Sequence, residues 1–149
     1  MNDTPPTGLV RSAILAACLL LGTVCLGVAA EQKPDIALTS KAAKISVTLD
    51  SAIKSNAGLS TYLLADGRKW ANSNLAEANK QFKDSPEFFS DGRTWEMERI
   101  YTLRSTVANR YVSILRNEYA FTGGAHPNSG FETFLWDDQA KKPISIRPF

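Results

Sequence analysis

A chain of 149 residues with 17 basic and 15 acidic side chains is the size of one domain, and its charges nearly cancel. That balance, with no clustered basic face, argues against nucleic acid as the partner. Both cysteines, Cys18 and Cys25, lie near the start, so the remainder must be stabilised by packing rather than by disulfides.

The first thirty residues read as a secretory signal. Arg11 stands before the uncharged run SAILAACLLLGTVCLGVAA (Ser12 to Ala30), and Val28 and Ala30 occupy the small-residue positions that a signal peptidase reads. Polar, charged sequence begins at Glu31. An uncleaved N-terminal anchor is the alternative, because nineteen uncharged residues can just span a bilayer of roughly 30 Å. LAAC (Leu15 to Cys18) resembles a lipoprotein cleavage box, but its apolar approach is short and apolar sequence follows it. Cleavage after Ala30 takes 30 of the 149 residues and leaves 119, enough for a packed core, with both cysteines gone and the net charge still +2.

After a polar lead-in with an extended piece at Ile36 and Leu38, KISVTLD alternates cleanly. Ile45, Val47 and Leu49 share one face, and Lys44, Ser46, Thr48 and Asp50 the other, which predicts a half-buried strand. The period then changes. Ala71, Leu75, Ala78 and Phe82 form the stripe of an amphipathic helix, with Leu59, Tyr62 and Leu63 in an earlier turn of the same or a separate helix. Gly67 is a weak point between them, costing about 1 kcal/mol relative to alanine. KDSP (Lys83 to Pro86) ends the helix, because the residue before a proline disfavours helical dihedrals.

The second half returns to period two. TWEMERIYTLR sets Trp95, Met97, Arg99, Tyr101 and Leu103 against Glu96, Glu98, Ile100, Thr102 and Arg104. RYVSILRNEYAF sets Tyr111, Leu115, Tyr119 and Phe121 against Val112, Ile114 and Ala120. FETFLW and PISI form a further pair around the polar DDQAKK, whose Asp137-Asp138 reads as a solvated turn. The expected fold is α+β: an antiparallel sheet covered by one or two helices. Trp70, Trp95 and Trp136 are expected in its core.

YAFTGGAHPN (Tyr119 to Asn128) is the stretch least like filler. Gly123 and Gly124 suit a chain reversal, the proline after His126 pushes that residue towards an extended backbone, and Pro127-Asn128 suits a turn. His126 is the only histidine, and beside it there is neither a zinc ligand set nor a nucleophile elbow. No metal, no cofactor and no catalytic group is therefore expected, and His126 reads as a turn or partner-contact residue.

The segment YVSILRNEYAFTGGAHPNSGFETFLWDDQAKKPISI resembles the core of the exported domain that precedes the catalytic part of PdaC-type peptidoglycan deacetylases. It is also similar to the extracellular part of RsiV-type anti-sigma factors. The family pattern is a strand ending in Tyr-x-[FY]-x-Gly-Gly-Ala-His, then a hairpin closing in alternating aliphatics. Tyr119, Phe121, Gly123, Gly124, Ala125 and His126 stand at those positions, and the likeness spans roughly Lys44 to Phe149. It implies a binding or accessory domain outside the membrane, in cell-envelope biology, with those motif residues as the partner-contact candidates. The implied partners are peptidoglycan or an envelope protein, with lysozyme recognition implied by the RsiV-type proteins. The chain departs from the deacetylases in having no histidine pair, and the family pattern runs on past IRPF, so a truncated member is one expectation. An enzyme that uses His126 with Asp137 or Glu132 to modify sugars is the alternative.

Overall fold

The computed structural model describes residues 32–145. The signal or anchor expected over residues 1–30 lies outside them. Among the described residues no helix is long and apolar enough to cross a membrane.

Strand β1 (Ile36–Thr39) pairs antiparallel with β2 (Ala43–Leu49), Ile36 opposite Val47 and Leu38 opposite Ile45. The lead-in prolongs this ladder. The Asp35 carboxylate accepts from the Leu49 amide at 2.8 Å, and the Gln32 side chain donates to the Leu49 carbonyl at 2.7 Å. Asp50 ends β2 by capping a single turn, α1 (Ser51–Lys54), through the Ala52 amide. Asn56 then caps α2 (Ala57–Asp84), its side-chain oxygen accepting from the Leu59 amide at 3.2 Å.

Helix α2 runs through Gly67 without interruption. Its buried stripe of Leu59, Leu63, Gly67, Ala71 and Ala78 lies against β2 and its neighbours. Gly67 is the contact point rather than a weak one: a Cβ there would stand 2.7 Å from Val47 Cγ1. The helix stops at Asp84, and a 3-10 segment (Pro86–Gly92) turns the buried Phe89 edge-on to Phe82 and stacks it on Trp95.

Strands β3 (Trp95–Val107), β4 (Tyr111–Phe121), β5 (Asn128–Asp137) and β6 (Lys142–Ile144) follow as a meander. The β3–β4 hairpin turns on Ala108 and Asn109, both in the left-handed region at φ 51°. Six strands in the order β1-β2-β3-β4-β5-β6 make one sheet. The architecture is α+β as expected, but the sheet is mixed: β2 and β3 run parallel, with Val47 opposite Arg99 and Leu49 opposite Tyr101. The reason is the crossover. A helix laid along one face carries the chain back to the end from which β2 started, so the next strand runs the same way.

The helix covers one face of this sheet. Ile45, Val47, Leu49, Tyr101, Ile114 and Trp136 are buried under it with Ile53, Leu59 and Leu63. Trp136 is core as expected, and Trp70 and Trp95 are partly buried against that core. Among the described residues no element packs on the opposite face.

Candidate ligand-binding face

The densest charge cluster is on the covered side and holds the fold together. Arg99 is 5% exposed, beneath the helix. Its guanidinium donates to Asp66 at 3.1 Å, Glu118 at 2.7 Å and the Tyr101 hydroxyl at 3.3 Å, and lies 4.4 Å from the Trp70 ring centre. Tyr101 donates in turn to Asp66, and burial, then that bond, pushes its hydroxyl pKa well above the usual tyrosine value. Arg116 extends the row to Glu118 and Glu132. Two carboxylates, a phenol and an indole thus surround the buried guanidinium, and they tie the middle of β3 to β4 and to the helix.

A second cluster corrects the reading of Asp137-Asp138 as a solvated turn. Asp137 is buried. It accepts from Arg110 Nη2 at 2.5 Å and Nε at 3.0 Å, and from the amides of Gln139 and Ala140 at 2.9 and 3.0 Å. Asp138 accepts from Asn56 at 2.6 Å, Lys141 at 2.9 Å and the Trp136 indole at 3.2 Å. These acids close the β5–β6 turn onto the start of α2.

The Arg110 guanidinium, helped by the two amides, holds the Asp137 carboxyl well below the usual carboxylate range. Asn56 and then Lys141 lower that of Asp138. A depressed carboxyl stabilises the fold above its unfolded pKa, about 3.9, and that stability is lost as pH falls towards the folded value. Asp137→Asn is therefore expected to lower the urea midpoint at pH 7. The gap from the unsubstituted protein should narrow when both are measured at pH 3.

The face away from the helix is different. Its residues form cross-strand rows: Ala37, Ser46, Glu98, Tyr119 and Ser129 in one, and Thr48, Ile100, Asn117 and Phe131 in the next. Tyr119 is 37% exposed and Phe131 82%. One face of an antiparallel sheet is commonly wet, but a phenylalanine this bare in mid-strand is not what solvation selects. Three shallow depressions of about 510, 380 and 490 Å³ share Glu98 as a common wall. The first is bounded by the lead-in Gln32–Pro34 and the second by Phe131, so together they cross the sheet as one groove. Its floor offers a carboxylate, an amide, hydroxyls and two aromatic rings. Such a surface can hydrogen-bond to hydroxyls and acetamido groups while a ring lies on the apolar face of a sugar.

The residues singled out by sequence are divided by the structure. Tyr119 and Phe121 end β4 on this groove face, opposite Glu98 and Glu96. Gly123 takes φ 87°, the reversal expected of it, and Gly124 keeps an ordinary backbone. His126 is exposed in the β4–β5 connection, with Nδ1 3.3 Å from the Pro127 carbonyl. The carboxylates weighed as its partners are engaged elsewhere. Glu132 pairs with Arg116, and Asp137 stands at the far end of β5, about 30 Å along the strand from Asn128. Among the described residues no group of three or more His, Cys, Asp or Glu is placed to hold a metal ion.

The chain matches no protein-family model and no curated protein. Among solved structures it is similar to a DUF3298 family protein from Pseudomonas aeruginosa PAO1, with 24% identity and a TM-score of 0.39. That match covers 69% of this chain and 45% of the other, so this chain spans less than half of the neighbour's length.

Glu98, Asn117, Ser129 and Phe131 are the groove residues that sequence reasoning left unassigned. The signal for Glu98 was present in TWEMERIYTLR, where alternation sets it with Ile100 opposite the tryptophan. Nothing in the sequence said that no other described element would cover this side.

Proposed function

We propose that the domain is an exported, non-enzymatic binding module of the bacterial cell envelope, which lays a peptidoglycan glycan strand along the groove across its open sheet face. The observation that carries this reading is the row of Glu98, Tyr119 and Ser129 beside Asn117 and Phe131: exposed aromatic rings interleaved with uncharged and carboxylate acceptors. The apolar run before Glu31 supports export, and the Gly-Gly-Ala-His resemblance supports an envelope setting.

Co-sedimentation with insoluble peptidoglycan tests it. The secreted protein should pellet with the polymer, and the Tyr119→Ala/Phe131→Ala pair should weaken binding about tenfold or more, the equivalent of roughly 1.4 kcal/mol. Both rings are exposed, so the fold should survive the change. Equal retention of the variant, or no retention of the unsubstituted protein, would exclude the groove as the site.

Glu96 and Glu98 favour a second reading, in which the same face meets a basic protein such as a lysozyme. Retention of lysozyme at low salt, without retention on peptidoglycan, would select that version.

A further inference from the structure

The groove differs from end to end. Its aromatic rings, Tyr119 and Phe131, stand on β4 and β5, whereas the end beneath the lead-in is polar and carries both signs of charge. That end is the depression of about 510 Å³, with Lys33 on its rim, Glu98 as a wall, and Ser46 and Thr48 on the strand between. Thr48 is only 8% exposed, and a hydroxyl so deep is ordinarily bonded. The polar groups nearest in the lead-in are engaged elsewhere: Gln32 donates to the Leu49 carbonyl, and Asp35 accepts from the Leu49 amide and pairs with Lys54. Among the described residues the Thr48 hydroxyl has no partner, and it is not sealed off, so it opens into the depression that it lines. Lys33 and Glu98 border the same space, and among the described residues neither forms an ion pair with the other or with a third group. Glu96 differs: it stands opposite Lys44 on β2, where Glu98 stands opposite Ser46.

We infer that this end of the groove is a subsite for an amino-acid head group, ammonium and carboxylate on one carbon, as a diamino acid in an uncross-linked peptidoglycan stem presents. Glu98 takes the ammonium, Lys33 takes the carboxylate, and the hydroxyls of Ser46 and Thr48 lie beneath. The subsite rests on the peptidoglycan reading of the groove: the glycan lies on Tyr119 and Phe131, and a stem reaches the polar end. Charge complementarity selects this occupant. A neutral sugar would leave both Lys33 and Glu98 without a counter-charge, and a lone amine or a lone carboxylate would match only one of them. The rim is fixed before a ligand arrives. Lys33 sits between two anchored residues, for Gln32 is bonded to Leu49 and the Asp35 amide donates to the Val47 carbonyl at 2.8 Å. Ile100 adds an apolar wall for the methylene chain of such a residue.

Three probes test it: insoluble peptidoglycan, the same polymer with its free amines acetylated, and the soluble stem tripeptide ending in meso-diaminopimelate. The secreted protein should bind the acetylated polymer about tenfold more weakly. Glu98→Gln should bring the same loss on the native polymer and no further loss on the acetylated one. Tyr119→Ala/Phe131→Ala should weaken binding to both. In nitrogen-15 spectra the tripeptide should shift the amides of Ser46 and Thr48. Lys33→Gln should weaken the tripeptide but not its form amidated at the carboxylate beside the free amine. Lys33 and Glu98 are both exposed, so these variants should keep the fold. Binding that ignores both acetylation and Glu98→Gln overturns the subsite and leaves the glycan reading standing. So does a Lys33→Gln variant that binds the tripeptide as the unsubstituted protein does. If no polymer is retained, the glycan reading fails and the tripeptide decides alone: shifts abolished by Glu98→Gln uphold the subsite, and an unchanged spectrum overturns it.

Discussion

Arg99→Ala should lower the stability of the domain by about 3 kcal/mol, the lower end of the range for removing one member of a buried ion cluster. In a domain of this size that corresponds to a melting temperature lower by about 10 °C. The low end follows from the surroundings. Asp66 and Glu118 are 40% and 31% exposed at their side chains, so both carboxylates can turn towards water once the guanidinium is gone. The Tyr101 hydroxyl and the face of Trp70 cannot escape in the same way. Neutralising the cluster as a whole should therefore cost less than breaking it: Arg99→Met with Asp66→Asn and Glu118→Gln should recover part of the loss. Thermal denaturation of the two variants decides the matter, and a loss below about 1 kcal/mol for Arg99→Ala would show that the cluster contributes little.

Gly67→Ala should destabilise, against the ordinary rule. In an exposed helix interior that replacement gains about 1 kcal/mol. Here the new methyl would stand 2.7 Å from Val47 Cγ1, 3.4 Å from Cγ2 and 3.6 Å from the Tyr101 ring. Val47 is fully buried and β-branched, so it has no free rotamer into which to retreat. Either the helix lifts from β2 or the strand shifts, at a typical cost of 1–3 kcal/mol for overpacking, which cancels the helix-propensity gain and exceeds it. Val47→Ala alone should also destabilise, by opening a cavity. The double variant should be more stable than the sum of the two losses, because one methyl fills what the other vacates. A higher melting temperature for Gly67→Ala alone would falsify the close-contact account.

Much of this fold could be read from residue order. The alternation from Ile45 to Leu49 placed β2 and its buried face, and Pro86 placed the end of the long helix within two residues. What failed was what depends on partners distant in sequence. Gly67 carries no local mark that distinguishes a flexible joint from a contact point; only the position of Val47 does. In β4 both faces looked apolar, and the face with more aromatics, Tyr111, Tyr119 and Phe121, turned out to be the open one. Val112 and Ile114 went inward instead, where their cross-strand partners on β5 are the buried Trp136 and the partly buried Phe134. Asp137 looked like a turn residue because its partner, Arg110, is 27 positions away. The groove suffered in the same way: Tyr119 and Phe121 were legible in their motif, but Glu98 and Phe131 join them only through register.

Asn56 does two jobs with one amide group. Its oxygen holds the first turn of the long helix, and its nitrogen reaches 82 positions ahead to Asp138 in the last turn of the sheet. The helix start and the final hairpin are thus latched by a single side chain. Neither can fray without loosening the other, so two segments made at opposite ends of the domain open as one cooperative unit.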